Sequence, residues 1–183
     1  MLASGAFPTE ASIATPTLDM FLSAIERRAF RFAELSLGDR DDALDAVQDA
    51  MIKLTAYAAR PAAEWTPLFW RILRSRIVDT QRRRLFRLRW LAPNTAGHDD
   101  APIDWADDGP DPSRAHDNRE AYVRMHDALR ALPTRQREAF TLRVLEELDV
   151  ADTARAMGCS EGAVKTHLSR AREALQRQLE DVR

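Results

Sequence analysis

LPTRQREAFTLRVLEELDVADTARAMGCSEGAVKTHLSRAREAL, residues 132 to 175, is the stretch whose pattern decides the fold. It reads as a helix, a short break, a small helix, a three-residue turn and a longer basic helix. Pro133 suits the first turn of a helix, where its missing N–H would be unpaired anyway. Phe140 and Val144 fall one turn apart, and Ala139, Leu142 and Leu145 widen the apolar stripe. Asp149 is placed to cap the short helix, with Asp152 three positions on as a weak capping box and Ala154 and Met157 as its inner face. Gly158 stands at the sharp turn, and Ser160 at the N-cap of the last helix. Val164, Leu168, Ala171 and Leu175 recur at helical spacing and point inward, which leaves Lys165, Thr166, Ser169, Arg170 and Arg172 outside. Such a helix can enter a major groove, where Arg and Lys reach guanine edges or phosphates and Ser and Thr bond bases or backbone. An ordinary solvated helix pair would share the stripe; the Gly-Cys-Ser turn between helices of unequal length favours a helix-turn-helix.

Working outward, the 183 residues suffice for one or two domains. β-Branched and aromatic residues are sparse beside Ala, Leu, Arg and Glu, which points to an all-α protein. Cys159 is the single cysteine, so neither an intramolecular disulfide nor a cysteine-based zinc site can form. His98, His116, His126 and His167 show no ligand spacing. The expectation is therefore no metal and no cofactor. No apolar run reaches spanning length and the start lacks a basic-then-apolar signal pattern, so the expected compartment is the cytoplasm.

The net charge of −2 conceals a segregation. Arg71, Arg74, Arg76, Arg82, Arg83, Arg84, Arg87 and Arg89 face the lone acid Asp79 in one segment. Asp99, Asp100, Asp104, Asp107, Asp108, Asp111 and Asp117 face the lone base Arg114 in another. This asymmetry bears on nucleic acid more than the total does. Residues 1–16 read as a flexible tail. A first helix follows from Leu18 through Phe32. A second runs to Pro61 with Leu44, Val47, Met51, Leu54 and Ala58 as its buried stripe, and a third starts near Trp65 and ends about Phe86. Residues 92–112, rich in Pro, Gly and Asp, read as a tether, and periodicity returns at Tyr122, Met125, His126 and Leu129.

The arginine run follows Trp65, Phe69 and Trp70, and rings beside a cationic stripe suit unstacked bases and their backbone. At least one of those rings reads equally well as core. The second helix carries Asp41, Asp42, Asp45, Gln48, Asp49 and Lys53 outside, a face that repels DNA and either meets solvent or docks on protein. No Gly-rich phosphate loop, His/Cys ligand set or Ser/His/Asp pattern is present, so no catalysis and no small-molecule substrate are expected.

Over about 18–89 and 122–179 the chain resembles bacterial RNA polymerase sigma factors of the sigma-70 family, extracytoplasmic-function (ECF) subfamily. LPTRQREAF and GCSEGAVKTHLSRAREAL resemble the family's region 4. DALDAVQDAMIKL resembles the region 2 helix that docks on the polymerase clamp, and LFWRILRSRIVDTQRRR the helix that melts and reads the −10 element. The resemblance implies a flexible tail (1–16), region 2 (17–89), an acidic linker (90–115) and region 4 (116–183). It implies core RNA polymerase as partner, bound through the clamp of its largest subunit by Asp45, Gln48 and Asp49. It implies promoter DNA as the other partner, with Ser160, Lys165, Thr166, Ser169, Arg170 and Arg172 on the −35 element. Trp65, Arg71, Arg74, Ser75, Arg76, Arg82, Arg83 and Arg84 would meet the −10 element, with the segment 60–67 bordering a pocket for a flipped base. An anti-sigma factor is a further candidate partner. Ser75 stands where many members carry Asn, and Thr153 where an aliphatic residue is usual. A stand-alone helix-turn-helix regulator is the alternative, and an RNA-binding protein or nucleic-acid enzyme a third.

Overall fold

Residues 17–90 and 123–180 are described by the computed structural model, and every regular element among them is helical. The expected tail and nearly all of the expected linker lie outside the described residues. Helix α1 spans Leu18–Leu37, with the Thr17 hydroxyl oxygen accepting the Met20 N–H at 3.3 Å. It stops at Gly38, whose φ of 64° is the left-handed conformation that a Cβ disfavours. Asp39 then caps α2 (Arg40–Thr55), its carboxylate accepting the Asp42 N–H at 2.9 Å.

Helix α2 ends at Thr55 rather than at Pro61, and successive turns closed by Tyr57, Ala58 and Arg60 N–H groups carry the chain to α3 (Ala62–Trp90). This helix starts a turn before Trp65, because Pro61 holds the opening position and its carbonyl accepts the Glu64 N–H at 2.9 Å. It also outruns the expected end at Phe86 by four residues. The three helices close around Ile25, Phe32, Val47, Leu54, Phe69 and Trp70, with Phe32 and Trp70 rings edge to face at 5.3 Å.

On α2 the buried face is centred on Ala43, Ala46, Val47, Ala50 and Leu54. The expected stripe needs correcting: Leu44 is 40% exposed, and Ala58 lies exposed beyond the helix. Small alanines let α2 approach its neighbours closely, so they define the buried side, and the bulkier Leu44 falls about 100° away from it.

The second half comprises α4 (123–131), α5 (Thr134–Phe140), α6 (Val150–Met157) and α7 (Glu161–Glu180). Helix α5 runs into a π turn over Thr141–Leu145, where the Glu146 N–H reaches back to the Thr141 carbonyl at 2.9 Å. The wider turn shifts the register that the sequence implied. Leu142 stays buried, while Val144 and Leu145, expected inside, are exposed, as is Met125 on α4. Glu147 then takes a φ of 55°, which reverses the chain toward α6.

The two halves meet directly. Helix α3 packs on α6, and one continuous apolar core joins Trp70 and Leu73 to Leu142, Met157 and Val164. A second cluster brings Leu35 of α1 onto Leu129, Leu132, Ala171 and Leu175. Arg28 of α1 binds the Glu146 carboxylate at 2.6 Å, and Arg74 of α3 binds Glu138 at 3.0 Å. This joint core was not visible in the sequence.

Candidate nucleic-acid interface

The turn between α6 and α7 is built by its caps. The Asp149 carboxylate accepts the Asp152 N–H at 2.6 Å, and the Thr153 hydroxyl donates to the Asp149 carbonyl at 2.7 Å. Thr153 is fully buried, so its hydroxyl is satisfied locally and its methyl fills the space of an aliphatic side chain. Asp152 pairs sideways with Arg155 instead of completing a capping box. Gly158 turns the chain at φ 62°, with its N–H on the Ala154 carbonyl, and the Ser160 hydroxyl oxygen accepts the Ala163 N–H at 3.2 Å.

Val164, Ala171 and Leu175 are buried as expected, and Leu168 partly so. That orientation leaves Ser160, Lys165, Thr166, Ser169, Arg170 and Arg172 exposed on one side of α7. Lys165, Arg170 and Arg172 have no ion pair among the described residues. The hydroxyls are engaged within the helix: Thr166 donates to the Gly162 carbonyl at 3.0 Å and Ser169 to Glu173 at 3.1 Å. A base or phosphate would have to compete for Ser169, whereas the three cations are ready for an anion.

Helix α3 presents its basic residues unevenly. Trp65 is 6% exposed and its ring packs 5.9 Å from that of Phe21, so in this arrangement it is a core residue. Arg74 gives its guanidinium to Glu138, a carboxylate that also takes Arg135 at 3.4 Å and is itself buried. Arg84 is structural as well: it donates to the Leu37 carbonyl at 2.9 Å and reaches Asp39 at 3.2 Å and Asp42 at 2.5 Å, tying α3 to the α1–α2 corner. Arg76 is half-buried, 3.9 Å from Asp49. Arg71, Ser75, Arg82 and Arg83 remain exposed. Arg71 lies across a cleft from Ala151, Arg155 and Cys159, between the two halves.

Asp45, Gln48 and Asp49 share the exposed side of α2. Leu44 and Ile52, the latter 69% exposed, lie beside them, so this face is an apolar strip edged with carboxylates. The sequence signal for it was present: positions 44, 48 and 52 are one turn apart. Glu138 was missed altogether, because nothing in a helix-turn-helix pattern marks a carboxylate that will meet an arginine 64 residues away.

Residues 122–175 match the family model described as sigma-70, region 4. The chain is 31% identical over 161 residues to the ECF RNA polymerase sigma factor SigM of Mycobacterium tuberculosis, covering 88% of this chain and 76% of that protein. It is also 31% identical over 147 residues to the RNA polymerase sigma-H factor of Pseudomonas aeruginosa, covering 78% of this chain and 75% of that one. Among solved structures, the sigma factor RpoE of Bartonella quintana, in complex with the anti-sigma factor NepR, superposes with a TM-score of 0.63 at 26% identity. That match covers 89% of this chain and 98% of RpoE.

Proposed function

Because this chain belongs to the ECF RNA polymerase sigma factors, we propose that α7 and α3 are its two promoter contacts and that α2 is its polymerase contact. A sigma factor directs transcription initiation by RNA polymerase, and the remaining question is which side chains do so here. On α7, Lys165, Arg170 and Arg172, with Ser160, Thr166 and Ser169 alongside, are the −35 contacts in duplex DNA. On α3, Arg71, Ser75, Arg82 and Arg83 are the −10 contacts available without rearrangement. Asp45, Gln48 and Asp49 dock on the clamp of the largest polymerase subunit.

The observation that supports this reading best is the open cationic face of α7 behind a fully capped turn. The packing of α3 on α6 adds a condition. While Arg74 is bound to Glu138 it cannot hold a phosphate, so full use of the −10 face requires the two halves to part. Polymerase supplies a means: clamp contacts to α2 and promoter contacts to α7 pull on opposite sides of the shared core.

The protein carries no chemistry of its own in this reading and acts in the cytoplasm. No helix among the described residues is long and apolar enough to cross a membrane. An anti-sigma protein is the remaining candidate partner, as the Bartonella relative is solved with one. Run-off transcription with purified core enzyme over a genomic fragment library is the test. Discrete promoter-dependent products are expected, and their absence would reject the assignment of both faces.

A further inference from the structure

Ser160 at the start of α7 and Thr166 and Ser169 along it are exposed, and each hydroxyl is already committed in one direction. Thr166 donates to the Gly162 carbonyl at 3.0 Å and Ser169 to the Glu173 carboxylate at 3.1 Å. Carbonyl and carboxylate oxygens hold no proton to give, so in both bonds the hydroxyl must be the donor. Ser169 is thus contested only for its proton. What Thr166 and Ser169 still have to offer is lone pairs, to which no group among the described residues donates. Ser160 is committed the other way: its oxygen accepts the Ala163 N–H at 3.2 Å, and its proton is left over.

Placement separates the two kinds as well. Gly162, Thr166, Ser169 and Glu173 follow one another at helical spacing and form one exposed row along α7. Gly162 adds no side chain to that row, and a Cβ there would meet only the Ser160 hydroxyl oxygen, at 3.9 Å, so the fold itself leaves the position open. Phosphate oxygens only accept hydrogen bonds. They can take the Ser160 proton but have nothing to give Thr166 or Ser169, and the Glu173 charge repels them from Ser169. In a major groove the donors are exocyclic amino groups, N4 of cytosine and N6 of adenine. Thymine and guanine present the acceptors O4 and O6 in their place.

We propose that Thr166 and Ser169 read base amino groups, cytosine N4 or adenine N6, in the −35 duplex, and that Glu173 is the positioning residue that keeps Ser169 an acceptor. The proposal rests on the promoter reading above and adds to it the kind of base edge that α7 selects.

The test uses the full chain with core RNA polymerase on a promoter duplex recovered by run-off transcription. Each adenine and cytosine of its −35 segment is replaced in turn by purine or pyrimidin-2-one, which lack the amino group. At one position the wild type should lose about fivefold in affinity, and Ser169→Ala should lose nothing further there. Thr166→Val should behave likewise at a second position. Comparing variant and wild type on the same duplex cancels the weaker pairing of the analogue. Glu173→Ala frees the Ser169 hydroxyl to rotate. It should raise affinity for every duplex by removing a negative charge, and shrink the penalty for A to G or C to T at the Ser169 position alone. A rise in affinity with that penalty unchanged would overturn the positioning role of Glu173. Indifference of the wild type to every amino deletion, or equal losses in wild type and Ser169→Ala, would overturn amino-group reading. Where Arg170→Ala still costs affinity under those outcomes, the promoter reading stands and this proposal alone falls. A wild-type chain that yields no promoter product fails earlier, at the promoter reading itself. Each comparison is a ratio between duplexes on one variant, so the folded fraction of that variant cancels.

Discussion

On α7, Lys165, Arg170 and Arg172 stand in solvent without an ion pair among the described residues. On α3, Arg74 is bound to Glu138, Arg84 to Asp39 and Asp42, and Arg76 leans toward Asp49. Both helices are long, basic and amphipathic, and composition alone would rank α3 as the stronger DNA reader. The difference lies in what each helix packs against. Helix α7 turns a single stripe toward α5 and α6, so its opposite side is uniformly open. Helix α3 meets α1 and α2 on one side, where Arg76 and Arg84 are drawn in, and the second half on another, where Glu138 of α5 holds Arg74. An arginine count therefore bounds DNA affinity from above; the partners already present decide how much of it is available.

Removing Glu138 attacks that difference at its centre. Glu138→Ala leaves Arg74, with a side chain 19% exposed, without its carboxylate. Losing one partner of a buried pair should cost about 3–5 kcal/mol, read as a lower urea midpoint at unchanged slope. Unchanged stability would mean that Arg74 is as free as the cations of α7. Trp65→Ala should cost a similar ~3–5 kcal/mol, as expected for deleting a buried ring, whereas Arg82→Ala should change stability by less than about 0.5 kcal/mol. If Trp65→Ala instead spares stability and weakens −10 binding alone, the ring belongs to the DNA face.

On the open helix the expected effect is on binding. Arg170→Ala should lose about 1–3 kcal/mol of −35 affinity and relax preference at one base position. A uniform loss across −35 sequences would make it a phosphate contact. Smaller again is Asp49→Arg on α2, which lies 56% exposed and only loosely paired to Arg76. It should slow association with core polymerase, mainly through the on-rate, and leave DNA binding by α7 intact. An unchanged on-rate would remove Asp49 from the docking face.

The turn and recognition helix were legible in the sequence because every signal there is local: Asp149, Gly158 and Ser160 act within four residues of themselves, and the stripe from Val164 to Leu175 belongs to one helix. Exposure on α7 followed from that stripe. The α3 sites were legible in part. Its charge run gave the class of partner, but the ion pair between positions 74 and 138 is set by tertiary packing, which leaves no periodicity behind. The misassigned Val144 and Leu145 mark a third kind of limit. A π turn adds one residue to a turn, and a pattern read with a constant period cannot register it. Leu44 shows a fourth, since the weight given to bulky side chains hid a buried face made of alanines.

Glu146 offers the smallest effect and bears on an ion pair between the halves that is more exposed than that of Arg74 with Glu138. Its carboxylate is 6% exposed, while its partner Arg28 is 46% exposed. Burial raises the Glu146 pKa above 4.5, opposed by the hydrogen bond from Arg28 and by the charges of Arg28 and Arg31. A raised folded-state pKa means that the protonated form is favoured more in the folded protein than in the unfolded chain. The stability from this group is therefore fully present below pH 4.5 and is lost as pH rises through the higher folded value. Glu34 on α1 is shifted the same way by burial, against Arg40 and Arg130, and adds to the same slope. Glu146→Gln removes its own share and leaves that of Glu34. Thermal midpoints of the variant should therefore fall less steeply than those of the wild type as pH is raised from 4.5 toward neutrality. Parallel curves would mean that the carboxylate is solvated, and that the contact through Arg28 contributes little to holding α1 against the turn that precedes α6.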